Sequence, residues 1–133
     1  MNQNVAQQNP RVIAVQKLYS NHLNKDSEIT FPKHRYKKFI KDVVNGTIER
    51  KELIQNFMDK ELNEDINENK TELMIKLMIM AAIYEFMFMH KTPVKVVINE
   101  YLKVADFFVE EPQKGFLNAI LEKISKVSRV KNE

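Results

Sequence analysis

Residues 79–99 read IMAAIYEFMFMHKTPVKVVIN, and this stretch decides the fold. Its first half is apolar on every side except for one carboxylate, Glu85, in a Tyr84-Glu85 pair. A helix without a polar face belongs at the centre of a bundle rather than on its surface. The helix is expected to stop at His90-Lys91 and a new one to start at Thr92-Pro93. Threonine is a good N-cap, and proline at the first helical position lacks only an N–H that would be unpaired there. The β-branched run 94–98 would suit a strand. Apolar positions continue at three-four spacing through Tyr101, Val104, Ala105 and Phe108, which predicts a helix instead.

The flanking segments repeat this logic. A first helix is predicted from Pro10 to about Leu23, with Ile13, Ala14, Val15, Leu18 and Tyr19 on adjoining stripes. Pro32 suggests a second cap-and-proline start, followed by Tyr36, Phe39, Ile40, Val43 and Val44 on one face and Lys33, Lys37 and Lys41 on the other. Asn45-Gly46 reads as its stop, with a third helix from Thr47. The central helix is predicted over 70–89. The last one starts around Pro112 and carries Phe116, Leu117, Ile120, Leu121 and Ile124. The fold class is therefore an all-α bundle of six to seven helices. It is expected to form one domain over 1–133, with a flexible glutamine- and asparagine-rich arm at 1–9 and a basic tail at 129–133.

The 133 residues suffice for a real core. Only two glycines and four prolines, with no tryptophan, leave little material for a turn-rich β-fold. The absence of cysteine excludes disulfides and thiolate metal sites. Apolar runs stay far below the roughly 20 residues of a membrane span, so a cytoplasmic location is expected. The net charge is only +3, but it is unevenly spread. Lys33, Arg35, Lys37, Lys38 and Lys41 form an acid-free basic stripe, whereas residues 59–72 are acidic. Such a distribution permits an anionic partner at one surface.

Catalysis is not expected. His22, His34 and His90 fall in three separate elements, without the spacing of a helical metal pair. There is no glycine-rich phosphate loop and no nucleophile elbow, so neither enzyme activity nor a cofactor is predicted. The lysine stripe reads either as a phosphate-binding surface or as the solvated face of a helix. Glu85, on an apolar helix, needs a partner; a structural salt bridge and a contact to another protein are both open. Asn99 and Asn118 read as buried amides that satisfy backbone groups.

Four segments in order resemble the NusB family of bacterial antitermination factors. Ala14-Val15-Gln16-Lys17-Leu18-Tyr19 is similar to its AVQ-x-LY helix, and Ala82-Ile83-Tyr84-Glu85-Phe86 to its ALYEL motif. Residues 93–105, PVKVVINEYLKVA, resemble P-x-x-VAINEA-x-x-LAK, and Phe116-Leu117-Asn118-Ala119-Ile120-Leu121 resembles FVNGVL. The resemblance implies an all-α fold of two small helical subdomains. It also implies pairing with NusE, a small-subunit ribosomal protein, and binding of boxA RNA in support of ribosomal RNA transcription. The RNA polymerase elongation complex would be engaged indirectly, and a homodimer is among the states expected of the free protein. By motif match, Tyr19 and Glu85 are the expected partner-binding residues. Arg11, Lys17, Lys114 and Phe116 are the expected RNA-binding residues. The family's arginine-rich arm is reduced here to Arg11, and its basic residue before the ALYE motif is Met80. These departures imply weaker RNA binding, and the alternative function is a protein-binding module that engages NusE with little RNA binding.

Overall fold

In the computed structural model, residues 7–66 and 71–128 are described, and they contain helices and no strand. Six helices follow one another: α1 (Pro10–Leu23), α2 (Lys37–Glu49), α3 (Lys51–Glu61), α4 (Leu73–Phe88), α5 (Val94–Phe108) and α6 (Glu111–Ser128). Residues 1–6 of the expected arm and all of the expected 129–133 tail lie outside the described residues, as do residues 67–70.

Helix α4 is the axis of the bundle and packs against each of the other five. Its sequence dictates that place, since Ile75 and every residue from Leu77 to Phe86 are buried. Side chains such as Ile79, Ile83 and Phe86 are removed from water almost completely. Burial of each is worth about 1.5–3 kcal/mol relative to exposure. The other helices present one stripe each. Val12, Val15 and Leu18 come from α1, Ile40, Val43 and Val44 from α2, Val97, Tyr101 and Val104 from α5, and Leu117, Leu121 and Ile124 from α6. Between α3 and α4, Leu62 and Ile66 are the buried anchors of a connection that is otherwise polar among its described residues.

The start of α1 is fixed by its own sequence. The Asn9 side-chain oxygen accepts hydrogen bonds from the backbone N–H groups of Arg11 (3.0 Å) and Val12 (3.3 Å). Pro10 takes the first helical position, where it needs no partner. Asn9 is thus a cap rather than part of a loose arm.

The central helix spans Leu73–Phe88 rather than 70–89, and three further boundaries move. Helix α2 starts at Lys37 instead of Pro32, because the His34 ring builds a local turn. Its Nδ1 accepts the Tyr36 N–H at 2.9 Å, and its carbonyl accepts the Lys37 N–H at 3.2 Å. Lys33 is consequently outside the helix. In α5 the capping position is Pro93 and the helix begins at Val94, one residue later than the Thr92 cap predicts. The third shift is the most informative: Asn45-Gly46 does not stop α2, which runs on to Glu49, and α3 begins at Lys51 rather than Thr47.

Gly46 is required by packing, not by a turn. A Cβ at this position would overlap the ring of Tyr84 on α4. Glycine inside a helix costs about 0.5–1 kcal/mol relative to alanine, and here that cost admits a close crossing of α2 and α4. Gly46→Ala should therefore destabilise the protein by about 1–3 kcal/mol through overpacking, despite alanine's better helix propensity. Chemical denaturation followed by far-ultraviolet circular dichroism reads the sign directly. A more stable variant would mean that Tyr84 is free to move aside.

Candidate nucleic-acid interface

The lone carboxylate of α4 finds its partner inside the protein. Glu85 is completely buried, and Arg11 of α1 is nearly so. The guanidinium meets the carboxylate as a two-pronged fork, with Nε donating to Oε2 at 2.9 Å and Nη2 to Oε1 at 2.7 Å. The hydroxyl of fully buried Tyr101, on α5, donates to Oε2 at 2.5 Å. Phe39 of α2 covers the guanidinium at 4.7 Å from its ring centroid, a cation–π contact in a desolvated place. Burial alone would lower the Arg11 pKa, but the hydrogen bond and charge of Glu85 outweigh it and the net shift is upward. The Tyr101 phenol is pushed well above its ordinary value, first by burial and then by the Glu85 charge.

This cluster bears on two expectations. The Arg11 guanidinium is nearly buried and paired with Glu85. The Glu85 carboxylate does not reach a partner surface, because it has no exposed area. Of the two readings of Glu85, the structural salt bridge is the one that holds. The physical reason is that an ionised carboxylate on an apolar helix is too costly to leave unpaired, and Arg11 on the adjacent α1 reaches it.

The remaining expected RNA residues are dispersed. Lys114 is held by Asp106 at 2.7 Å, and that hydrogen bond raises its pKa. Phe116 is half-buried beside a depression lined by Asp65, Glu72 and Gln113, where Asp65 pairs with Lys123 and Gln113 donates to Glu72. Neither shares a cavity with Lys17. Tyr19 is exposed on α1, with the more exposed Leu23 one turn further on. Asn99 and Asn118 are both exposed, so they are not the buried backbone-satisfying amides that their apolar neighbours suggested.

What the fold does assemble around Lys17 is a groove of about 860 Å³ between the start of α1 and the 32–36 segment. Lys17, Lys33 and Arg35 supply its positive charge, and Gln7, Gln8 and Gln16 supply amides. His34 ties its two walls together. With Nδ1 accepting from the Tyr36 N–H, the neutral ring carries its proton on Nε2, which faces the Gln7 carbonyl at 3.1 Å. Tyr36 is 47% exposed and has the Arg35 guanidinium 5.3 Å from its ring centroid. Cations, an exposed aromatic ring and amide side chains are the components that hold single-stranded nucleic acid. Sequence reasoning assigned Tyr36 to the apolar face of α2. It lies in the half-in position before the helix, and the Pro-Lys-His-Arg-Tyr run was the available signal.

Among the described residues no helix is long and apolar enough to cross a membrane, and no group of acids and histidines could hold a metal ion. The family profile described as NusB matches residues 4–126. A transcription antitermination protein NusB of Rickettsia typhi is 31% identical over 103 residues, which cover 77% of this chain and 64% of that protein. One from Bradyrhizobium diazoefficiens is 29% identical over 91 residues, covering 68% and 55% respectively. The chain thus spans little more than half the length of such relatives. A solved structure of T. maritima NusB superposes with a TM-score of 0.80 at 20% identity, covering 94% of each chain, which establishes a shared fold.

Two predictions follow from the buried cluster. Arg11→Ala and Glu85→Ala should each cost about 3–5 kcal/mol, because each leaves an uncompensated buried charge. The double variant should cost clearly less than their sum, and urea denaturation of the four proteins measures the coupling. The second prediction concerns alkali. The folded state keeps the Tyr101 proton, and that of Tyr84, whose pKa burial and Asp42 raise to about 12. The unfolded chain releases both protons near pH 10. Stability should accordingly be level below pH 10 and fall above it as the unfolded state binds fewer protons. Tyr101→Phe should soften that fall in pH-resolved denaturation curves.

Proposed function

Because this chain belongs to the NusB family, we propose that it is a transcription antitermination factor whose groove between α1 and the 32–36 segment binds single-stranded RNA. The observation that carries the reading is the convergence of Lys17, Lys33 and Arg35 around the open ring of Tyr36. In this reading the RNA is the boxA element and the protein partner is NusE. Tyr19 and Leu23 supply an apolar contact on α1, and the RNA polymerase elongation complex is reached through the assembled pair. Glu85 contributes to partner binding only by holding α1 in place. The chemistry asked of the chain is recognition, so no catalytic residue is assigned.

The groove takes over the task that the missing arginines would perform. Its phosphate contacts are few, which favours modest affinity for the isolated protein and a larger affinity once NusE is bound. Three contacts at about 0.7 each give a log–log salt slope of about two for a single strand. Stacking on Tyr36 adds about 1–3 kcal/mol per base.

Fluorescence anisotropy with labelled boxA RNA, at two salt concentrations and with or without NusE, tests this reading. Lys17→Ala and Lys33→Ala should each lower the salt slope by about 0.7, and Tyr36→Ala should weaken binding with the slope unchanged. Lys114→Ala should have little effect, and Tyr19→Ala should reduce NusE association without lowering the melting temperature. Intact NusE binding with no RNA affinity, alone or in the pair, would instead establish a protein-binding module.

A further inference from the structure

A second basic cavity of about 740 Å³ lies between α2 and α4 and shares no lining residue with the groove. Its floor is the Tyr84 ring, seated on Gly46, with the Tyr84 hydroxyl donating to Asp42 at 2.5 Å. Lys37, Lys38 and Lys41 stand at one end, in the first turns of α2. Arg50 stands at the other, and its guanidinium lies 4.4 Å from the centroid of Phe88, a ring that is 42% exposed. Phe88 and Tyr84 are neighbours, with centroids 5.4 Å apart. Phe88 does not line the cleft itself but borders it through Arg50 and Tyr84, so the cleft has a cationic end and a guanidinium end edged by an exposed ring.

We propose that this α2–α4 cleft binds a nucleotide unit, with phosphate on the lysines and base against the Phe88–Arg50 pair. The polarity of the cleft supports this assignment. Four cations outnumber the two acids that line it; Asp42 accepts from the Tyr84 hydroxyl, and Glu49 is exposed with only a long 3.9 Å contact to Arg50. Lys37 and Lys38 have no ion pair among the described residues, and the amino end of α2 adds its positive dipole to their charge. From Lys41 to Arg50 the helix rises about 13 Å at 1.5 Å per residue, comparable with an extended nucleoside triphosphate. The volume falls within the range of small-molecule sites. Aromatic and guanidinium planes stack on any base, so the cleft selects for the presence of a base rather than for its identity.

The unit has two sources with the same chemistry, a free nucleotide or one residue of an RNA strand, and one competition experiment separates them. N-methylanthraniloyl-ATP is titrated into the whole chain and followed by anisotropy. It is then displaced with ATP, inorganic tripolyphosphate, adenosine or a single-stranded RNA pentamer. Saturable binding is expected, with tripolyphosphate and adenosine each about tenfold weaker than ATP as competitors. Phe88→Ala and Lys41→Ala, both at exposed positions, should weaken the probe about tenfold with unchanged circular dichroism. Lys17→Ala, in the groove, should leave it unchanged. A pentamer that outcompetes ATP, and loses that advantage in Phe88→Ala, makes the RNA strand the source. The opposite order makes it the free nucleotide. Absence of saturation at millimolar probe, equal displacement by tripolyphosphate and ATP, or an equal loss in Lys17→Ala would overturn the assignment. The first two would leave a plain charged surface, and the third would put the probe in the groove.

Discussion

One buried ion pair governs how the helices of this protein meet. Helix α4 is apolar all round and could rotate or slide in its setting with little penalty from pattern alone, since it has no polar face to keep in water. Glu85 removes that freedom. Its carboxylate is satisfied where Arg11 and Tyr101 converge, and a slip of one turn, about 5.4 Å, would leave a charge buried without its partner. Well-packed hydrophobic substitutes for a buried ion pair are often as stable. What the pair adds is a single register for α1, α4 and α5, with Phe39 bringing α2 into the same contact.

That register is also what builds the surface features. Arg11 lies in the first turn of α1, two residues beyond the Asn9 cap. Fixing its guanidinium fixes the end of α1 from which Gln7 and Gln8 extend to one wall of the groove. Phe39, packed over the same guanidinium, anchors α2 three residues after Tyr36. The groove is thus framed by two segments that are each tied to one buried charge. Loss of the pair would be felt there even though neither partner touches solvent to any useful extent.

Much of this was legible in the sequence. The all-round apolarity of residues 77–84 identified the central helix, and Pro10 marked the start of α1, although Asn9 read as part of the arm rather than as its cap. The isolation of Glu85 announced that a partner must exist. The sequence could not say which partner, because Arg11 and Glu85 are 74 positions apart and only the packing of α1 on α4 brings them together. Gly46 misled for a related reason. A glycine after asparagine reads as a stop from local propensity alone, whereas its role is set by Tyr84 on another helix. His34 had no legible role either, since its turn-building depends on a ring nitrogen accepting a backbone N–H two residues away.

The placement of charge carries the last step. Motif matching carried Arg11 to the RNA surface on the assumption that an arginine at the start of α1 serves RNA. Here its charge is already matched: Arg11 gives two of its five N–H donors to a buried carboxylate and is only 9% exposed, so little of it faces solvent. Among the described residues, cations without an ion pair cluster on the 32–36 segment and on α2, a stretch that carries almost none of the family's motif signal. Lys33 and Arg35 line the groove, while Lys37, Lys38 and Lys41 line the cleft. The basic stripe is therefore divided by the turn at His34–Tyr36 into two surfaces facing different helices. A stripe that looks uniform in sequence becomes two sites because α2 begins at Lys37 and not at Pro32.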